Sequence, residues 1–327
     1  MTEALKHCWH PVAYGREVGR DPLKVTLLGQ NLVLWRSAER INALSDLCIH
    51  RGTALSLGQT VDDEIVCPYH GWRFGPDGAC TRIPQLADPA RIPRKARVPA
   101  YGCQERYGLV WVRLDEGEVS RDLPEVPELE DPSWRVVETG PFAWEANASR
   151  QLENFTDFGH FPFVHPGLLG DPQRTEVPPH HVETRDNVLH YQIQRPEAPN
   201  TQEFPIFANE GNKSPMRTNT YEVYLPYTLV LRIAWPDKSR KMVYLFASQP
   251  LSEQRCVGYC LVARNYNLDQ PDEVIQDFEE VIFGQDRRIV ESQRPREVPF
   301  DLVEELHLSF DKVAVAYRRA MRAQGFE

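Results

Sequence analysis

The segments CIHRG (residues 48–52) and CPYHGW (residues 67–72) decide how this chain is read. Cys48 and His50 stand in the spacing C-x-H, Cys67 and His70 in C-x2-H, with sixteen residues between the pairs. Two thiols and two imidazoles in two tight clusters are what a Rieske [2Fe–2S] centre requires, with thiolates on one iron and imidazoles on the other. A Cys2His2 zinc site accepts the same four ligands. Zinc modules usually group like with like, however, whereas each loop here offers one ligand of each kind. Gly52 and Gly71 follow the histidines closely, and Pro68 stiffens the second loop by fixing its own φ.

At 327 residues the chain has room for two domains of about 100–200 residues each. Its net charge of −10 argues against a nucleic-acid surface, which would show a basic stripe. The first twenty residues hold no apolar core of a secretory signal. No uninterrupted apolar run reaches the length of about 18 residues that a membrane span needs. Cys8, Cys80, Cys103, Cys256 and Cys260 are odd in number and irregular in spacing, which suits reduced thiols in a cytoplasm better than a disulfide framework.

Residues 1–118 read as short strands (VTLLG, LVLWR, INALSD, EIVC, GLVWVRL) broken by Gly, Pro and Asp. Both cysteine–histidine loops fall between such runs, so a small β-sandwich carrying its cluster at one tip is expected. The acidic, proline-bearing stretch 115–134 reads as a linker, which places a domain boundary near residue 118 and a second domain over 119–327. There, a helix is expected at 145–160 and strands at 188–195, 219–235, 241–249 and 256–266. A long helix is expected at 271–293, with Pro271 in its first turn, and an amphipathic helix in the tail from residue 302. The fold class is α+β, with a curved antiparallel sheet gripping one long helix.

His160 and His165 lie in the block ENFTDFGHFPFVH (residues 153–165). Five residues apart, they would point about 140° away from each other on an ideal helix, so they share an ion only if the helix breaks between them. Pro162 is the expected break. Two histidines and a carboxylate with open positions form the facial triad of non-haem Fe(II) oxygenases. Asp286 supplies the carboxylate, because it projects from the apolar stripe Ile275, Phe278, Ile282 and Ile289, where a charge must be paired or metal-bound. Glu279, Glu280 and Glu291 read as residues nearer the solvated flank, and an ion pair of Asp286 with Arg287 or Arg288 is the alternative. Asp157, three residues before His160, can accept a hydrogen bond from that ligand's other ring N–H and fix its orientation.

With both sites placed, the chain resembles the oxygenase α-subunits of Rieske non-haem iron oxygenases over nearly its whole length. It resembles most the branch of vanillate and dicamba O-demethylases and toluenesulfonate methyl-monooxygenase. The carrying motifs are CIH with CPYHGW, the N-x2-D-x2-H-x4-H block from Asn154 to His165, and GQDRRIVESQ around Asp286. The resemblance implies an N-terminal Rieske domain and a helix-grip catalytic domain. It places Cys48 and Cys67 on the inner cluster iron, His50 and His70 on the outer one, and His160, His165 and Asp286 on the mononuclear Fe(II). It also implies O2-dependent monooxygenation, by hydroxylation or oxidative demethylation, of a small aromatic substrate in aromatic-compound catabolism. Electrons would come from a separate NAD(P)H-dependent reductase of flavin and iron–sulfur type, since the chain has no dinucleotide or flavin signature of its own.

The resemblance further implies a head-to-tail homotrimer in which Asp157 bridges to a Rieske histidine of the neighbouring subunit, because the two centres of one chain are too far apart for efficient transfer. Relatives often carry an acid where this chain has Asn154, which leaves Asn154 hydrogen bonding but no charged proton relay. A cis-dihydroxylating arene dioxygenase is the alternative enzyme. A Rieske electron carrier is the alternative of another class, although it would end near residue 118. Residues 195–218 are expected to border the pocket. Arg232, interrupting the apolar run YTLVLRIAWP, is a candidate cation for an acidic substrate, with a place on the strand rim as the alternative.

Overall fold

The structure is a computed structural model that describes residues 2–38, 40–115, 122–196, 216–236 and 239–327. It divides into two compact units, Glu3–Leu123 and Pro124–Glu327. The expected boundary near residue 118 lies outside the described residues.

The N-terminal unit is built from β1 (His10–Tyr14), β2 (Leu23–Leu27), β3 (Gln30–Arg36), β4 (Ile41–Ser45), β5 (Gln59–Val61), β6 (Glu64–Val66), β7 (Arg73–Phe74), β8 (Cys80–Arg82), β9 (Gly102–Arg106) and β10 (Leu109–Arg113). They form three antiparallel sheets, ordered β1-β10-β9, β2-β3-β4 and β5-β6-β7-β8. The strongest apolar runs of the sequence become β2, β3, β4, β6 and β10. β5, β7 and β8 are too short for alternation to show, and β1 is buried at every position, so it has no polar face to mark it. Val33, Trp35, Leu44, Ile65 and Phe74 form a core that also encloses Cys48 and Cys67.

Among the described residues, the C-terminal unit is one seven-stranded antiparallel sheet with four α-helices. Its strands are β11 (Arg135–Trp144), β12 (Val182–Arg185), β13 (Val188–Pro196), β14 (Met216–Tyr224), β15 (Thr228–Ala234), β16 (Lys241–Ser252) and β17 (Arg255–Arg264), in the order β11-β17-β16-β15-β14-β13-β12. The helices are α1 (Ala148–Thr156), α2 (Phe161–Val164), α3 (Asp272–Val290) and α4 (Lys312–Ala323). The expected single run 219–235 is two strands, because Leu225, Pro226 and Tyr227 turn the chain and Tyr224 pairs with Thr228. Pro226 has no N–H to continue a ladder.

α3 lies against the sheet, where Phe283 stacks on Phe142 with ring centroids 4.0 Å apart and Tyr244 of β16 reaches Glu279. Its buried stripe corrects the reading of the sequence: Ile275, Phe278, Glu279, Ile282, Phe283, Asp286 and Val290 face inward, whereas Ile289 is 45 % exposed. Over nineteen residues the true period of 3.6 carries the stripe to Val290. Glu279, read as a flank residue, is therefore in the core.

The tail helix is also shorter than expected. It begins at Lys312, and Val303 and Leu306 are exposed. Residues 302–311 are not helical, and Glu305 within them joins an ion-pair network: its Oε1 accepts from Arg150 and its Oε2 from Arg318, at 2.8 and 2.6 Å, and Arg318 also donates to both oxygens of Glu153. Arg318 is buried, and removing one partner of a buried network strands the others. Arg318→Ala is expected to lower stability by about 3 kcal/mol in urea unfolding. A loss within ±0.5 kcal/mol, the range of surface substitutions, would show that the network is merely solvated.

Candidate metal centres and active-site cavity

The two cluster loops are copies of one turn. In each, the glycine N–H donates to the cysteine carbonyl four residues back, Gly52 to Cys48 at 2.9 Å and Gly71 to Cys67 at 3.0 Å. Both glycines take positive φ, +70° and +71°, a region other residues seldom adopt. The His50 and His70 rings come within 4.6 Å of each other, and Trp72 stacks on His50 at 4.5 Å. Burial, with the neighbouring Cys67 adding to it, pushes the Cys48 thiol up to about 11. His50 Nδ1 is buried with no hydrogen-bond partner among the described residues. Two buried thiols and an orphaned imidazole nitrogen fit a positively charged iron cluster, whose charge turns thiol into thiolate.

The second constellation lies in the C-terminal unit. α1 ends at Thr156, with Asp157 capping it in extended conformation. The chain thus leaves α1 before His160, and no single long helix carries both histidines. Pro162, the expected breaker, sits instead in the first turn of α2, where its missing N–H costs nothing. His160 caps the start of α2 and His165 its end, and His165 leaves helical dihedrals (φ −122°, ψ 50°) so that its ring turns back. His160, His165 and Asp286 offer ligand atoms within 4.8 Å of one another.

Hydrogen bonds set both tautomers. His160 Nδ1 donates to Asp157 Oδ2 at 2.6 Å and His165 Nδ1 donates to Gln285 Oε1 at 2.7 Å, so both Nε2 atoms face Asp286 Oδ1, at 3.4 and 2.9 Å. Burial lowers the His160 pKa, but the Asp157 and Asp286 carboxylates outweigh it and hold this imidazole at about 9. Burial likewise opposes charge on Asp286, and the two histidines hold its carboxyl below the usual range. His160 Nε2 is buried without a hydrogen-bond partner among the described residues. Two imidazoles and a carboxylate converging on one point fit a divalent iron. Arg287 pairs with Glu291 at 2.8 Å, and the ion pairs of Asp286 among the described residues are with His160 and His165 rather than with Arg287 or Arg288.

Beside the triad lies a cavity of about 570 Å3 including its open mouth, within the range of small-ligand sites. Phe155, Phe161, Leu231, Ile233 and Phe278 supply apolar wall, and Asn154 lines it one turn before Asp157. Arg232 does not reach it. The pleat sends Leu231 and Ile233 inward and Arg232 to the opposite face, where it donates to Glu128 and Glu222 at 2.8 and 2.6 Å. Among residues 195–218, the structure describes 195–196 and 216–218, and Arg195 and Arg217 line the cavity. Neither was singled out from the sequence. The signal available was period-2 alternation, with Tyr191-x-Ile193-x-Arg195 and Arg217-x-Asn219-x-Tyr221 sharing an inward parity.

Glu279, 3 % exposed, also lines the cavity and accepts from Tyr244 Oη at 3.0 Å. Burial raises its pKa from 4.5 to about 8. Between those values the folded metal-free protein binds the extra proton, so stability falls as pH rises through that window. Glu279→Gln is expected to remove that slope and to be the more stable protein at pH 8 by a few kcal/mol, each pKa unit being worth about 1.4 kcal/mol. Denaturant unfolding of both proteins from pH 4.5 to 8 measures it, and parallel curves would refute it.

Residues 8–101 match the Rieske [2Fe-2S] domain and residues 144–324 the vanillate O-demethylase oxygenase C-terminal domain. The chain is 33 % identical to the methylxanthine N1-demethylase NdmA of Pseudomonas putida over 326 residues, covering 98 % of this chain and 89 % of that protein. It is 35 % identical to the N3-demethylase NdmB of the same organism, covering 96 % and 88 %. The structure of Pseudomonas putida NdmA with caffeine superposes with a TM-score of 0.88 at 33 % identity, over 98 % of this chain and 91 % of that one. Dicamba monooxygenase bound to dicamba, at 24 % identity and a TM-score of 0.83, shares the fold over 98 % and 97 %.

A cysteine–histidine loop pair in one unit and a histidine–carboxylate group in the other fit a two-centre iron oxygenase. The chain belongs to the Rieske non-haem iron oxygenases, with a catalytic domain of the vanillate O-demethylase type. It carries a Rieske [2Fe–2S] cluster and a mononuclear non-haem iron, and it is the monooxygenase-type oxygenase component that works with O2 and a separate reductase on a small substrate. A catalytic domain beyond the cluster domain sets aside the simple electron carrier.

Proposed function

We propose that this oxygenase removes a methyl group oxidatively from a small aromatic substrate, as the names of NdmA and NdmB state for methylxanthines. The observation that carries this reading is the convergence of His160, His165 and Asp286 on one point at an aromatic-walled cavity. In this reading Cys48, Cys67, His50 and His70 hold the cluster, and His160, His165 and Asp286 hold the mononuclear iron. Bound there, the cluster would supply electron transfer and the iron would supply O2 activation. One O2, two electrons and two protons convert the methylated substrate to its demethylated form, formaldehyde and water.

The chain's own residues orient and insulate. Gln285 and Asp157 fix the two ligand rings, Asn154 offers a neutral hydrogen bond at the cavity wall, and the phenylalanines keep water from the reacting methyl group. The electrons come from NAD(P)H through a reductase of flavin and iron–sulfur type. Assembly is a head-to-tail homotrimer, in which Asp157 bridges to the Rieske histidine of a neighbouring subunit. Two features support that arrangement. Asp157 keeps 41 % of its side chain exposed while bound to His160. At the cluster tip, Leu47, Ile49 and Tyr69 are 58 %, 54 % and 63 % exposed, an apolar rim suited to docking. A heterologous contact of this kind closes into a ring when the rotation allows. None of the seven cysteines forms a disulfide, which agrees with a cytoplasmic setting.

A screen of aromatic methyl ethers and N-methyl heteroaromatics with a surrogate reductase tests the reading. The expected result is substrate-dependent O2 uptake with stoichiometric formaldehyde. O2 consumption yielding a cis-diol instead would overturn it.

A further inference from the structure

The segment from Arg82 to Arg97 in the N-terminal unit is anchored and charged at the same time. Ile83, Ala96 and Val98 lie in the core that encloses Cys48 and Cys67, and Leu86 and Ile92 pack against it beside Trp72. Between those anchors Arg82, Arg91, Arg94 and Lys95 are exposed, and no acid pairs with them among the described residues. Arg97, by contrast, donates to Asp77 at 3.1 Å, and Asp88 caps its own turn by accepting from the Ala90 N–H at 2.9 Å. The segment lies against the second cluster loop. Gln85 Nε2 donates to the His70 carbonyl at 2.9 Å, and the Cys80 N–H donates to the Ala96 carbonyl at 2.8 Å. Arg82 pairs in register with Arg73, which follows Trp72 directly. Arg51, next to His50, is also exposed without an ion pair among the described residues. A chain with a net charge of −10 thus carries an unpaired basic ridge beside its cluster loops.

We propose that Arg82, Arg91, Arg94 and Lys95, with Arg51, form the docking surface for the acidic face of an iron–sulfur electron donor, which delivers one electron per encounter to the Rieske cluster. The inference rests on the reading above that the reductase is of iron–sulfur type. Each encounter oxidises the donor centre by one electron and reduces the cluster by one, and no atom changes hands. These cations have no internal partner to give up when an anionic surface arrives, so their charge is available to it. A donor that must arrive, deliver and leave gains from fast association more than from tight binding, and rim charges act on the association rate and its salt dependence. Steering of this kind raises on-rates by about 10–1000-fold. The remainder of an acidic molecule repels an acidic donor, so the ridge selects the face as well as the rate. Ile83, Leu86 and Ile92 hold the ridge at a fixed place relative to the His70 loop. A small footprint beside a redox centre suits an electron-transfer encounter, whose interfaces lie at the low end of the size range. A nucleic acid or an anionic membrane would have to approach the same negative molecule over a wider front. The ridge shares no residue with the apolar rim of Leu47, Ile49 and Tyr69.

An acidic plant-type [2Fe–2S] ferredoxin, native and with its carboxylates amidated, is the probe donor for the fully loaded oxygenase without O2. Binding is read by calorimetry, and cluster reduction by rapid-freeze paramagnetic resonance. Salt is varied from about 0.01 to 0.3 M, a range over which the screening length falls from about 30 Å to below 10 Å. At low salt the native ferredoxin is expected to reduce the cluster on the order of 100-fold faster than the amidated form, an advantage that fades as salt rises. Arg91→Glu, Arg94→Glu and Lys95→Glu combined should abolish that advantage and weaken binding at least about tenfold. Photoreduced deazaflavin should still reduce the cluster of this variant at the native rate. Lys312→Glu, Arg319→Glu and Arg322→Glu combined make the same change of net charge on α4 and should leave the advantage in place. Equal rates with the two ferredoxins, or a ridge variant as fast as the native chain, would overturn the surface and leave the reductase reading standing. Equal losses in the ridge and α4 variants, or tighter binding of duplex DNA or anionic vesicles than of the ferredoxin, would overturn it as well. No reduction by either ferredoxin, with deazaflavin still effective, would sink both the surface and the iron–sulfur donor.

Discussion

Asp286→Ala is expected to fold and to keep the optical and paramagnetic signature of a reduced histidine-ligated [2Fe–2S] cluster, yet to lose its mononuclear iron and its turnover. Asp286 sits on the buried stripe of α3 with His160 and His165 aimed at one of its oxygens. Losing a partner that only orients a ligand costs about 10–100-fold in metal affinity. Losing the sole carboxylate of the triad, with its charge, should cost more than that. Iron analysis against cluster sulfide gives the occupancy directly. Loss of the cluster together with the mononuclear iron, or full activity in the variant, would defeat the assignment; in the second case Glu279 is the next acid along the cavity wall.

Asp157→Asn should behave in the opposite way, keeping both iron centres and the assembly while electron passage between them fails. Asp157 Oδ2 accepts from both His160 Nδ1 and the His160 backbone N–H, and Oδ1 accepts from the Gly159 N–H. An asparagine oxygen can serve the His160 side, so the ligand stays oriented, but the second acceptor and the charge are gone. His160 holds the carboxyl below its usual range against the effect of burial, so the native group is an anion at neutral pH. The measurement is a single turnover of chemically pre-reduced protein with substrate and O2. Cluster oxidation is expected to slow on the order of 100-fold, and normal oxidation, or a fully active monomer, would remove the bridging role.

The cluster cage and the triad were legible in the sequence because their chemistry is local: Cys48 with His50, Cys67 with His70, and His160 with His165 announce themselves within a few residues. Asp286 was reachable because an acid on an apolar helical stripe needs a partner. The mechanism of convergence was not. α1 closes at Asp157, and Pro162 starts a new turn instead of breaking an old one. Helix phase misplaced Glu279 and Ile289, since a drift of a few degrees per residue decides which flank is buried over nineteen residues. Strand parity left Arg232 open between the pocket and the strand rim. In YTLVLRIAW nearly every neighbour is apolar, so the sequence cannot say which face is the core, and one step reverses every side chain. The pairing of Arg195 with Arg217 was invisible for a different reason: alternation shows which residues share a face, but only the fold shows that the two meet across two strands.

The separation of the proposed iron ligands from the strands of the cavity wall has a practical consequence. His160 and His165 flank α2 and Asp286 lies on α3, whereas Leu189–Val223, Tyr191–Tyr221, Ile193–Asn219 and Arg195–Arg217 pair across β13 and β14. Each pair joins two residues in register, and none of the eight is among the proposed iron ligands. A library that varies these positions pairwise would therefore explore substrate shape and charge as an almost independent dial, with the oxidising machinery left as a constant background.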